Sequence, residues 1–433
     1  MGWILTLLYT PWLCWLLSNW GLFTRLGIPR KWVWTVFSLK LIAGFSYAWV
    51  HSQYYLGDTL VFFNYGERIW GILFSAPIDY FRLVFLPLPN EIPTHLQQLA
   101  NDINYWNETA GYAMVRIQAF LCLFSWGNYP VHVVFWTFGS CVGNILLLNA
   151  LVYWSQIWHK VTRFYEINQL WWLSFLIPSF LFWFSGVHKE GLSILCLGLI
   201  LHSLTFLKKE SFLIFGLLFG ALLLGMVRPY FLTLLVPAVL IFYLINRFKQ
   251  KIITKGIRPF WGYLSIYFTS FIGIRLLGLL DEKLNVFARV VKIRYYFSAY
   301  YNGNSDVVLP PLEPTLLGFL SEMPRAIVNV VFRPFINDVH HLLSFLAFIE
   351  TYFFIGIWIW GLWQGRFVFY RKNLEDTLIV RSIFWFCLSF ALANILLIGL
   401  TIDNLGAIVR YRSVAYLFLT VGIFQLIAFK REL

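Results

Sequence analysis

The run from Gln169 to Leu207 is apolar except for a short motif at its middle, Gly186-Val187-His188-Lys189-Glu190-Gly191. An imidazole, an ammonium and a carboxylate therefore fall together within a few residues. About 20 residues span a bilayer, so the run divides into two membrane helices, with these groups at the turn between them. Charge at membrane depth is costly and marks ion, proton or substrate sites. The plain alternative is that Lys189 and Glu190 pair with each other and snorkel to the headgroups. Four more polar clusters fall at the same boundary: Gly57-Asp58-Thr59, Met226-Val227-Arg228-Pro229-Tyr230, Arg333-Pro334 and Arg410-Tyr411-Arg412. Arginines from opposite ends of the chain can converge there on one anionic group. A guanidinium fork suits phosphate, Lys189 adds a point charge, His188 a switchable one, and Glu190 completes the set. Arg68, Arg116 and Arg333 are further candidates for that surface.

The carboxylates separate by setting. Asp58 follows Gly57 at the mouth of an apolar segment and precedes an amphipathic one, so it is a candidate base facing the same cavity. Glu67 lies nine residues on, beside Arg68, and is the second candidate. General-base catalysis needs a carboxylate within hydrogen-bond reach of a hydroxyl, and a leaving phosphate needs positive charge to stabilise it. Asp58 can equally cap the helix that follows it, and the two roles are compatible.

These groups need a membrane scaffold, and composition supplies it. Sixty per cent of the 433 residues are hydrophobic and 12% are charged, against roughly half and a quarter in soluble domains. The pattern predicts an all-α, polytopic membrane protein of eleven spans: 3–22, 32–52, 130–153, 170–185, 190–206, 211–226, 230–246, 259–280, 342–364, 382–400 and 411–429. The loops on one side carry a net charge equal to the whole chain's +13. That asymmetry makes their side cytoplasmic, the N-terminus external and the C-terminus internal. The bases are spread over six short loops, so the charge is no nucleic-acid footprint. Residues 1–433 read as one transmembrane domain with two long external segments. The first, 53–129, predicts amphipathic helices broken at Pro77, a polar loop from Asn90 to Glu108, and a second amphipathic stretch from Met114 to Phe124. The second, 281–341, opens on Arg289, Lys292, Arg294, Tyr295 and Tyr296. The five cysteines show no CxxC or Cys/His metal spacing. No cofactor is called for, and the question of a divalent metal stays open.

An Asp in the first external loop, interfacial helices after it, eleven spans and a basic outer cavity together resemble the GT-C class of membrane glycosyltransferases. The stretch Pro178-Ser179-Phe180-Leu181-Phe182-Trp183-Phe184-Ser185-Gly186, continued by Lys189-Glu190, resembles one found in bacterial polytopic proteins of that type. The chain departs from better-known members in lacking a paired Asp-Glu motif in that loop. The resemblance implies inverting transfer of a sugar from a polyprenyl-phosphate donor to a glycan, lipid or protein acceptor, at the outer face of a bacterial plasma membrane. Asp58 would be the base. His188, Lys189, Arg228 and Arg410 or Arg412 would hold the phosphate, an assignment made from charge and position. The rival readings are a polysaccharide polymerase or ligase and, from another class, a lipid-linked-glycan flippase. Midplane charges and inverted repeats would favour the flippase.

Overall fold

A computed structural model describes residues 2–22, 28–53, 58–88, 92–156, 177–254, 259–281, 285–300, 305–370 and 375–431. The parts of the expected spans at 170–176, and Gly57 of the Asp58 motif, lie outside them. Among the described residues the regular structure is helical, apart from one isolated β-bridge. Its helices are α1 (Gly2–Asn19), α2 (Arg30–Gln53), α3 (Asp58–Ile72), α4 (Pro77–Phe85), α5 (Gln97–Asp102), α6 (Thr109–Ser125), α7 (Tyr129–Gln156), α8 (Pro178–Ser185), α9 (Lys189–Phe206) and α10 (Leu213–Val227). They continue with α11 (Pro229–Arg247), α12 (Lys249–Thr254), α13 (Pro259–Leu280), α14 (Val286–Tyr300), α15 (Leu316–Val331), α16 (Leu342–Gly365), α17 (Phe367–Tyr370), α18 (Glu375–Thr401) and α19 (Leu405–Arg431).

Eight of these are long and apolar enough to cross a membrane: α2, α7, α9, α11, α13, α16, α18 and α19. Backbone groups in hydrocarbon must be bonded within their own segment, which only a helix achieves for a single span. Large apolar side chains such as Phe268, Phe353 and Ile359 are exposed along α13 and α16, faces suited to lipid. The protein is thus a multi-pass membrane protein. Three expected spans do not reach that standard. Three tryptophans, a proline and an asparagine dilute α1, the described part of α8 is only 8 residues, and α10 has 15.

The chain forms two compact units. The first comprises Met1–Leu151 and Phe175–Leu232, the second Val152–Ser174 and Thr233–Leu433. In the first unit, α9 and α10 form a hairpin, α3 and α4 pack on α6, and α8 lies against α2. Helices α7 and α9 cross at two glycines. A Cβ on Gly198 would fall 2.1 Å from the Gly143 carbonyl oxygen, and one on Gly143 would fall 2.4 Å from the Leu195 Cα. Only residues without a side chain allow backbones to approach so closely.

The segment expected to be a polar loop, Asn90 to Glu108, is ordered over its described part. A short 3-10 turn at Thr94–Leu96 leads into α5. Leu96, Ala100, Ile103 and Trp106 are buried. The polar residues between them mask an apolar period that holds the segment down.

In the second unit, α18 packs against α13, α15 and α19, and α16 against α19. Phe287, Val290, Leu312, Phe319, Ala326 and Leu400 form a core beneath the 285–331 region. A minimal bridge ties Ser305–Val307 to Asp403–Leu405. The Val307 N–H donates to the Asp403 carbonyl at 2.7 Å, and the Leu405 N–H to the Ser305 carbonyl at 3.1 Å.

Candidate functional site

Asp58 is the first residue of α3 and is exposed. Among the described residues its carboxylate meets no first-turn N–H. Instead the Tyr105 hydroxyl donates to Asp58 Oδ1 at 2.9 Å. A free carboxylate at a helix N-terminus also lies at the positive end of the macrodipole. Phe62, one turn on and on the same face, packs its ring at a tilt against that of Tyr105, with the centroids 5.0 Å apart. The Tyr105 ring is fixed from behind by Gly111, where a Cβ would fall 2.4 Å from its Cδ1. Next to Asp58, Thr59 is buried and shares a 2.7 Å hydrogen bond with the Tyr129 hydroxyl.

Lys189 approaches this same face of α3. Its ammonium stands 5.4 Å from the centroid of the Phe62 ring, inside cation–π range. It also pairs with Glu108 at 3.6 Å. The Lys189 side chain is 14% exposed and that of Glu108 is 54% exposed. As the first residue of α9, Lys189 places its charge against the helix dipole, so local helix energetics do not account for its presence. Asp58, Tyr105, Glu108 and Lys189 thus gather around Phe62 from three separate stretches of chain.

His188 and Glu190 turn the other way. Both are buried, and the His188 Nδ1 and Glu190 Oε2 atoms are in direct contact. The Arg228 Nη2 donates to Glu190 Oε1 at 2.6 Å, closing the open end of the α9–α10 hairpin. Trp136 Nε1 donates to the His188 carbonyl at 2.7 Å, and the Thr137 hydroxyl to the Ser185 carbonyl at 3.0 Å. The motif is therefore split. Lys189 faces the Asp58 cluster, while His188, Glu190 and Arg228 lock α7, α9 and α10 together. Lys189 and Glu190 have different partners, as the snorkelling alternative did not foresee.

The other candidates lie elsewhere. Glu67 is about 13.5 Å along α3 from Asp58, at 1.5 Å per residue. Arg68 pairs with Asp102 at 3.2 Å, with both side chains about half exposed. Arg116 donates to the Leu83 carbonyl at 2.9 Å and bonds the Leu86 carbonyl as well. It caps the end of α4 while lying over the Tyr112 ring.

In the second unit, Arg410 and Arg412, expected at a membrane boundary, fall inside α19. Arg412 is 2% exposed. Its guanidinium donates to the Val330 carbonyl at 2.8 Å, to the Thr351 hydroxyl at 2.6 Å and to the Arg333 carbonyl, and it covers the Tyr416 ring. These bonds satisfy carbonyls left over at the end of α15. Arg410 donates to the Tyr411 hydroxyl at 2.6 Å, and Arg333 pairs with Asp338 at 3.4 Å.

Near the β-bridge, burial raises the Asp403 carboxyl above the usual carboxylate range, and Asp306 adds to the effect. Burial lowers Arg294, opposed by the nearby Glu322 carboxylate. Among the described residues no group of three or more His, Cys, Asp or Glu side chains is placed to hold a metal ion.

Tyr105 and Glu108 were not singled out from the sequence, because the polar residues around them read as loop. The adjacent Tyr105-Trp106 pair was the available signal, since two aromatics in a polar run usually find a surface to pack on. No protein-family model matches the chain, and neither does any curated protein or solved structure.

Proposed function

We propose that the protein is a membrane glycosyltransferase of the GT-C kind. It would move a sugar from a polyprenyl-phosphate donor to a glycan, lipid or protein acceptor during assembly of a cell-envelope glycan. The observation that carries this reading is the pairing of an exposed carboxylate, oriented by the Tyr105 hydroxyl, with a largely enclosed ammonium across the Phe62 ring. In the reaction, the acceptor hydroxyl oxygen forms a bond to the anomeric carbon. Its proton passes to Asp58, and the glycosidic C–O bond breaks, its electron pair leaving with the polyprenyl phosphate. Lys189 sits where it can meet that growing negative charge. An attack from the face opposite the phosphate inverts the anomeric centre. The loop charges favour the outer face of a bacterial plasma membrane, with the N-terminus outside.

Asp58→Asn provides the test. Asn keeps the shape and accepts the Tyr105 hydrogen bond through its carbonyl oxygen, but it has no basicity. The variant, reconstituted with a panel of polyprenyl-phosphate hexoses and pentoses, is expected to bind donor while transferring sugar at least ~100-fold more slowly, the lower end for a lost general base. Unchanged transfer by the variant would remove Asp58 from the chemistry and favour the polymerase reading.

A further inference from the structure

The Lys189–Glu108 pair is unequal. The cation is 14% exposed and held over the Phe62 ring, whereas the carboxylate is 54% exposed and 3.6 Å away. Glu108 ends the turn that also carries Tyr105, immediately before α6. One short segment thus delivers a hydroxyl to Asp58 and a carboxylate to Lys189.

The two contacts differ in strength and reach. The Tyr105 bond is 2.9 Å, with its ring wedged between Phe62 and Gly111. The Glu108 contact is longer, solvated and made by a flexible side chain. Pairs of that kind contribute little and exchange readily.

We propose that Glu108 is a built-in competitor for the anion that Lys189 receives. When the site is empty, its carboxylate occupies the ammonium. A phosphate group arriving from the lipid displaces it into solvent, while Tyr105 stays on Asp58. This rests on the phosphate-binding part of the function proposed above. It adds that a carboxylate of the chain itself sets the threshold for binding. Glu108 keeps the ammonium compensated between ligands and lowers by one small common factor the affinity of any anion that must displace it.

The prediction runs opposite to that for an ordinary site residue, since removing Glu108 strengthens binding. The probe is a sugar-free polyprenyl phosphate, titrated into the full-length protein in nanodiscs. Inorganic phosphate and the uncharged polyprenol serve as separate arms. Glu108→Gln is expected to bind polyprenyl phosphate about two- to five-fold tighter, the range that follows from loss of one competing pair whose carboxylate is solvated. Glu108→Ala should act in the same direction. Lys189→Gln should weaken binding about 10-fold or more and abolish the gain from Glu108→Gln when the two are combined.

Polyprenol binding should be the same in all variants. Tightening of inorganic phosphate as well would identify a site for the phosphate group itself, and tightening of the lipid alone a site that needs the chain; both support displacement. Unchanged or weaker binding of polyprenyl phosphate by Glu108→Gln and Glu108→Ala would overturn the proposal. So would equal tightening of polyprenol, which would make the effect steric. Because no sugar is transferred, a protein inactive in every transfer assay can still pass this test. Failure here would likewise leave the role of Asp58 standing.

Discussion

Arg228→Ala separates a structural arginine from a ligand-binding one. The Glu190 side chain is 3% exposed and that of Arg228 is 12% exposed, with 2.6 Å between Nη2 and Oε1. Truncating the arginine leaves a buried carboxylate without its guanidinium, a change that costs about 3–5 kcal/mol in comparable buried pairs. The contact of His188 with the second carboxylate oxygen remains, which places the expected loss near the lower end, about 3 kcal/mol. Glu190→Gln is milder, about 1–3 kcal/mol, because Arg228 already lies beside the Tyr230 ring and can extend towards water. The double variant Arg228→Met with Glu190→Gln removes both charges and should recover to within about 1 kcal/mol of the wild type. Equilibrium unfolding by SDS in mixed micelles, followed by tryptophan fluorescence, ranks the four proteins. A loss of less than about 0.5 kcal/mol for Arg228→Ala, the level of an ordinary surface substitution, would refute the locking role. Weakened donor binding in that stable variant would return Arg228 to the phosphate.

Two further outcomes are expected. Arg412→Lys should destabilise the protein by about 2–3 kcal/mol, since an ammonium cannot serve the Val330 and Arg333 carbonyls and the Thr351 hydroxyl in one plane; thermal unfolding checks this, and normal stability with lost donor binding would contradict it. Asp403 takes up its proton more readily folded than unfolded because burial raises it, so its favourable contribution is present at low pH and lost as pH rises through its folded value. Asp403→Asn should accordingly raise stability at neutral pH and leave it unchanged in acid, as read from unfolding midpoints across pH; equal effects at both would contradict the burial argument.

The long apolar helices were readable because hydropathy over about 20 residues is a strong signal. The expected span 342–364 corresponds to α16 (Leu342–Gly365), and 259–280 to α13 (Pro259–Leu280). Charge misled where it is used internally. Arg410 and Arg412 read as a polar cluster at the boundary of the last span, yet α19 begins at Leu405 and buries Arg412 against carbonyls from another helix. No local pattern encodes that distant partner. The His188-Lys189-Glu190 motif was recognisable as unusual, but its division into an inward-locking pair and one forward-facing lysine depends on the helical turn that begins at Lys189. Tyr105 and Glu108 escaped notice for a related reason. Their roles come from tertiary contact with Asp58 and Lys189, and polar residues dominate the intervening sequence.

The Gly143–Gly198 crossing gives α9 a fulcrum. Gly198 is nine residues from Lys189, a lever arm of about 13.5 Å at the helical rise. A tilt of about 10° about that point would sweep the start of α9 through roughly 2 Å, more than the margin that separates a held anion from a released one. Any bulk inserted at the crossing therefore acts at a distance, moving the ammonium relative to Asp58 without touching either residue.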